Sequence, residues 1–161
     1  MRHRAFTLIE LLIVVAIIGL LATLVTVALG TAGAKSRDGR RLADFESFRQ
    51  ALQLAYGATG SYPAGTDVAL GAAGYKTICA QGSTVKFAAD STAANCDSDK
   101  IYMSNVTQGP VPSPYLYTTT DVTSTFRICT ALEQGDSKLN LAAGPIQITS
   151  DGSVKNTASC P

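Results

Sequence analysis

Apolar and polar residues alternate along this chain in three successive regimes. From Phe6 to Leu29 the run is apolar around the whole helical circumference and carries a single carboxylate, Glu10, with no charge from Leu11 to Leu29. Those 19 positions rise about 1.5 Å each and cover about 28 Å, close to the ~30 Å hydrocarbon core of a bilayer. In the second regime Leu42, Phe45, Phe48 or Arg49, Leu52 and Tyr56 recur at steps of three and four. This predicts one apolar helix face, with Arg40, Arg41, Asp44, Glu46, Arg49 and Gln50 mostly elsewhere around it. Gly57 and Gly60, followed by Ser61-Tyr62-Pro63, predict the stop and the turn away. A continuous helix from Phe6 to Tyr56 would be about 75 Å long, far more than a membrane requires.

The third regime has period two. Tyr115 to Thr120, Thr125 to Leu132, Pro145 to Thr149 and Ser153 to Lys155, the last across an Asp151-Gly152 turn, predict an antiparallel meander. One face, with Phe126, Ile128, Ile146 and Ile148, is expected to cover the Leu42 to Tyr56 stripe. Between helix and meander, Ala64 to Pro114 is rich in small and polar residues. It offers weaker strands at Tyr75 to Ala80 and Thr84 to Ala88, and its prolines at 110, 112 and 114 mark an extended connection. The fold class is therefore α+β: a long N-terminal helix packed on a C-terminal antiparallel sheet.

The apolar run does not read as a secretory signal peptide, because the small residue, Ala5, lies before the run. Cleavage at Ala5 would keep the helix on the mature chain. An ionised Glu10 in lipid costs a few kcal/mol and calls for a partner. If the chain were cut after Ala5, the new Phe6 amine would lie four residues from Glu10. It would neutralise the carboxylate within one chain or between staggered neighbours.

At these residues, a basic leader (Arg2, Arg4), Ala5 and then Phe6-Thr7-Leu8-Ile9-Glu10 before an apolar helix, the sequence resembles the type IV pilin family, pseudopilins included. The family most often carries Gly where Ala5 stands; Ala5 keeps the small side chain. The resemblance implies cleavage between Ala5 and Phe6 by a prepilin peptidase, N-methylation of Phe6, and extraction from the membrane into a helical filament through Phe6 and Glu10. It divides the chain into a leader (1–5), a transmembrane and filament-core helix (6–29), an amphipathic spine (30–57) and an extracytoplasmic head (58–161). Tyr56, Gly60, Tyr62 and Pro63 resemble the family's helix exit. Tyr115, Tyr117, Phe126, Ile128, Leu132 and Glu133 resemble, more loosely, its C-terminal half. Gly19, Gly30 and Gly33 are places where the helix is expected either to loosen or to pack closely.

Composition changes the picture little. The formal charge is +1, and without Arg2 and Arg4 it becomes −1, so bulk charge makes no case for a nucleic-acid partner. Only 16% of residues are charged, which suits a dense assembly of many copies. Basic residues near the span (Lys35, Arg37, Arg40, Arg41) outnumber those of the leader, so positive-inside counting points the head toward the cytoplasm. The cysteines and the family point the other way. Cys79, Cys96, Cys129 and Cys160 form no CxxC pair and read as two disulfides in an oxidising compartment. Of the three possible connectivities, Cys79 with Cys96 and Cys129 with Cys160 is expected. The first closes a loop in the least patterned part of the head, and the second resembles the C-terminal disulfide of many pilins.

No catalytic set is expected: the sole histidine, His3, lies in the leader, and no cofactor or metal site is indicated. Asp90, Asp97 and Asp99 lack EF-hand spacing and read as solvated loop acids. The Lys35 to Arg41 cluster is expected to meet lipid headgroups and then acids of neighbouring subunits, with contact to DNA the less favoured alternative. Asn105-Val106-Thr107 is a short sequon of little weight. Together these imply a structural filament subunit, a major or abundant pilin of a type IV pilus for adhesion or motility. Its expected partners are further copies of itself, the prepilin peptidase, the assembly ATPase and inner-membrane platform, and the cytoplasmic membrane before export to the cell surface. The alternatives are a pseudopilin of a type II secretion or DNA-uptake system, and a membrane-anchored binding domain that does not assemble.

Overall fold

The computed structural model describes residues 7–92 and 94–160. One helix, α1 (Leu8–Thr59), runs for 52 residues, about 78 Å at the standard rise. It passes unbroken through Gly19, Gly30, Gly33 and Gly57, so Gly57 does not end it as the sequence suggested. The stop is Gly60, whose left-handed φ of 76° lets its N–H donate to the Tyr56 carbonyl at 2.7 Å.

Among the described residues eight strands follow: β1 (Val68–Ala69), β2 (Thr77–Gln81), β3 (Thr84–Ala88), β4 (Ile101–Met103), β5 (Leu116–Asp121), β6 (Thr125–Leu132), β7 (Gly144–Thr149) and β8 (Val154–Asn156). They form two antiparallel sheets, β1-β5-β6-β7-β8 and β3-β2-β4. The meander of β5 to β8 follows the predicted chain order. The weak candidates in the small-residue region become a separate sheet, and α1 packs against β2, β3 and β4 as well as β6. The helix is thus covered by two sheets instead of the one expected.

The buried seam of α1 is Ala34, Asp38, Arg41, Phe45, Phe48, Leu52 and Ala55, at alternating steps of four and three. It lies beside the stripe read from the sequence. Leu42 and Tyr56 are only partly buried, while Arg41, assigned to the polar side, has no exposed surface. Phe45 and Phe48 pack on Tyr115 at ring-centre distances of 5.7 and 5.3 Å. Tyr62 stacks on Tyr56 at 4.6 Å and meets Phe126 edge-on, and Phe87 of β3 meets Tyr117 of β5, joining the two sheets. Each such side chain contributes about 2 kcal/mol when fully buried. Apolar burial therefore holds the far part of the helix. At the N-terminal turns of the seam, Asp38 and Arg41 require a different means.

Candidate assembly helix and its junction with the head

Helix α1 begins at a capping box. Thr7, with extended φ and ψ of −84° and 151°, accepts from the Glu10 N–H at 3.3 Å. The Glu10 carboxylate accepts in return from the Thr7 N–H at 2.8 Å and the Thr7 hydroxyl at 2.7 Å. A carboxylate here also lies at the positive end of the helix dipole. The sequence reading offered Glu10 only the Phe6 amine. The Thr7-x-x-Glu10 spacing is itself the capping-box signature and was legible in the sequence. Ala5 and Phe6, the expected processing and methylation positions, lie outside the described residues.

From Leu8 to Leu29 the large apolar side chains described are exposed, from 48% at Val14 to 80% at Leu8. The head begins to cover the helix only at Gly33 and Ala34. This free half is long and apolar enough to cross a membrane, and it fits membrane anchoring. An added Cβ at Gly19 or Gly30 would meet nothing within 4 Å, so neither glycine serves packing within the chain.

At the junction, ions replace apolar contacts. The buried Asp38 carboxylate accepts from three successive N–H groups of the loop after β6: Glu133 at 2.9 Å, Gln134 at 2.8 Å and Gly135 at 3.2 Å. Gly135 has φ of 78°, and a side chain there would run into the Leu141 carbonyl. Arg41 Nη1 donates to Asp38 and to Glu133 at 2.9 Å each, and its Nη2 donates to the Pro110 carbonyl at 2.9 Å. Arg37 grips Glu133 from the outer side with two bonds. Hydrogen bonds from Arg37 and then Arg41 hold the Glu133 carboxyl down to about 2.

The expectation that Lys35 to Arg41 face headgroups and then neighbouring subunits is corrected accordingly. Arg37 pairs with Glu133 and Arg41 with Asp38 and Glu133, the buried Arg41 Nε having no hydrogen-bond partner among the described residues, while the largely exposed Arg40 lies 3.8 Å from Asp44. Lys35 and Arg40 keep exposed side chains. Nothing local in the sequence reveals that Arg41 is buried, since its partner Glu133 is 92 positions away.

Cys79 is bonded to Cys96 and Cys129 to Cys160. The first bond closes the β2 to β4 excursion, and the second ties the C-terminal segment to β6. Asp90 accepts from Thr92 and Asn95, and Asp97 from Gly82 and Lys100. Among the described residues no group of three acids, histidines or cysteines is arranged to hold a metal.

The N-terminal segment, residues 1–26, matches the family model described as the prokaryotic N-terminal methylation motif. The chain carries the type IV pilin and pseudopilin signature. Neither curated proteins nor solved structures match it under comparison. The pilin-type motif overlaps the capping box and most of the free apolar helix, and the helix followed by antiparallel sheets is consistent with an α+β pilin fold.

Proposed function

We propose that this chain is a structural subunit of a type IV pilus, made as a prepilin, cut after Ala5, methylated on Phe6 and polymerised through α1. The observation that carries the reading is the free apolar half of α1, which begins inside the methylation motif and continues without a break into the spine of the head. In the membrane lipid covers that surface; in a filament the same surface of neighbouring copies would replace lipid. Helix packing needs no apolar driving force in such an exchange, only close fit and satisfied polar groups.

Glu10 is the polar group that needs satisfying. Thr7 occupies it within one chain, and the Phe6 amine of the same or an adjacent subunit would add a full counter-charge where the dielectric is low. The prepilin peptidase, an assembly ATPase and a membrane platform are the partners this route requires. Its two disulfides support a head outside the cytoplasm, where such bonds persist.

Two disulfides and a sparsely charged surface favour a pilus exposed on the cell over a pseudopilin, which carries the same N-terminal motif. Filaments sheared from the cell surface and resolved by mass spectrometry test this. A pilus subunit is expected to dominate them and to vanish with its gene. Cells without the gene that keep their filaments but lose secretion or DNA uptake would assign the chain to a pseudopilin instead.

A further inference from the structure

Residues 136–141 form a tight loop below the five-stranded sheet, closed by a bridge between Asp136 and Leu141. Asp136 Oδ1 accepts from the N–H groups of Lys138 at 2.8 Å and Leu139 at 3.2 Å, which fixes the tip. Leu141 points inward and is buried, whereas Leu139 is 54% exposed and Lys138 is exposed. A fixed loop that presents a leucine and a lysine side by side to solvent has the composition of an interfacial anchor.

Its position gives it a surface to meet. Lys35 and Lys138 line one recess of about 220 Å³ together with Asp38, Gly39, Gly135 and Asp136, so the loop lies beside the first turns of α1 that the head covers. Lys35 is six residues past Leu29, about 9 Å along the axis from the end of the apolar run. That distance is just past a headgroup layer of about 5 to 7 Å, within reach of a lysine side chain that leans back toward the helix N-terminus. Arg37 and Arg41 pair with Glu133 and Asp38, Arg40 lies 3.8 Å from Asp44, and the Asp136 carboxylate, held by the loop's own N–H groups, leaves the two lysines of the recess in excess. Lys35 and Lys138 remain, both exposed and neither in an ion pair among the described residues.

We propose that Leu139, with Lys138 and Lys35, seats the head on anionic phospholipid headgroups while the subunit waits in the membrane. This rests on the reading that α1 is membrane-anchored before assembly. Leu139 enters the interface and the two ammonium groups meet phosphates. The contact fixes the tilt of the head on its helix and must be released on extraction into a filament.

The chain has no tryptophan, so single-tryptophan variants report position directly. The full chain is placed in vesicles of phosphatidylcholine alone, or of equal phosphatidylcholine and phosphatidylglycerol, with lipids brominated near the headgroup or deep in the chain. Leu139→Trp is expected to shift to the blue and be quenched by headgroup-proximal bromine in the anionic vesicles. Leu54→Trp, on the exposed far end of α1, should stay unquenched. Lys35→Gln and Lys138→Gln should each lower the seating equilibrium constant about fivefold. Leu139→Trp emission equal to that of Leu54→Trp in both vesicles would overturn the proposal. So would a shift that ignores lipid charge and follows protein density, which would assign the loop to a second copy of the chain. Ile13→Trp keeps the two readings apart. Deep-bromine quenching of Ile13→Trp with an unquenched Leu139→Trp defeats the lipid seat alone, and an unquenched Ile13→Trp defeats the membrane anchor and the seat with it.

Discussion

Arg41 and Glu133, 92 positions apart, meet at 2.9 Å where the helix enters the head, and the guanidinium between them has no exposed surface. Asp38 shares the same Nη1 and fastens three backbone N–H groups of the loop that carries Glu133. In the proposed filament, force passing between helix and head would cross this small ionic knot, with the aromatic core behind it.

Arg41→Ala should destabilise the head by about 3 to 5 kcal/mol, because it leaves Asp38 buried with its cation gone and Glu133 half-satisfied. Arg37→Ala, at the exposed side of the same carboxylate, should cost less than about 1 kcal/mol. Denaturant unfolding of the full chain in detergent, followed by the loss of tertiary signal from the tyrosines, compares the two. Equal effects would mean that the knot is not the junction described.

Acid should loosen the junction. Glu133 and Glu46 are held at about 2, against 4.5 for a free glutamate, by bonds from Arg37 and Arg41 and from Arg49 and Gln50 respectively. A lowered folded value means that the stabilisation is complete above pH 4.5 and is lost as pH falls toward about 2. The thermal midpoint should fall through that window, and Glu133→Gln should make the fall shallower while lowering the midpoint at neutral pH. An acid dependence unchanged in Glu133→Gln would remove Glu133 from the account.

Reduction should act on the head and spare the helix. The loops closed by the two disulfides span 17 and 31 residues, which corresponds to about 3 to 4 kcal/mol each on the loop-entropy estimate. Non-reducing peptide mapping should return the Cys79–Cys96 and Cys129–Cys160 pairs. Cys129→Ser with Cys160→Ser should lower the unfolding midpoint with little change in helical circular dichroism. A Cys79–Cys129 peptide would contradict the structure.

How much of this was legible in the sequence depended on how local the determinant is. Phe45, Phe48 and Leu52 announce a helix face by their spacing, and the bounds of β3 and β6 follow from alternation alone. The strands β1 and β4 did not stand out, because two or three residues cannot display a period and their pairing with β5 and β2 is made by the folded core. The seam was placed beside its true position for a related reason. Arginine on a helix is ordinarily a surface residue, and only Glu133 and the Pro110 carbonyl, brought in by tertiary folding, make Arg41 an interior one. At the helix start the reverse holds: Thr7 and Glu10 are three residues apart, and their mutual capping is written in the sequence.

Glu10→Ala should leave insertion intact and impair assembly. Removing the carboxylate eases transfer into lipid, but it takes away the carboxylate half of the capping box and the proposed partner of the Phe6 amine. Membrane fractions should hold at least as much Glu10→Ala chain as wild type, while sheared filaments should hold far less. Thr7→Ala, which removes the hydroxyl and leaves the charge, should have a smaller effect on yield. Wild-type filament yield from Glu10→Ala would refute this role for the carboxylate.

The central claim, that the chain is processed and built into a filament by its N-terminal helix, is tested most directly by the N-terminus of the assembled protein. Intact-mass and N-terminal peptide mass spectrometry of sheared surface filaments should find a chain that begins at Phe6 and carries one methyl group on its amine. Filaments whose subunits begin at Met1, or whose first residue lies beyond Leu29, would contradict the account.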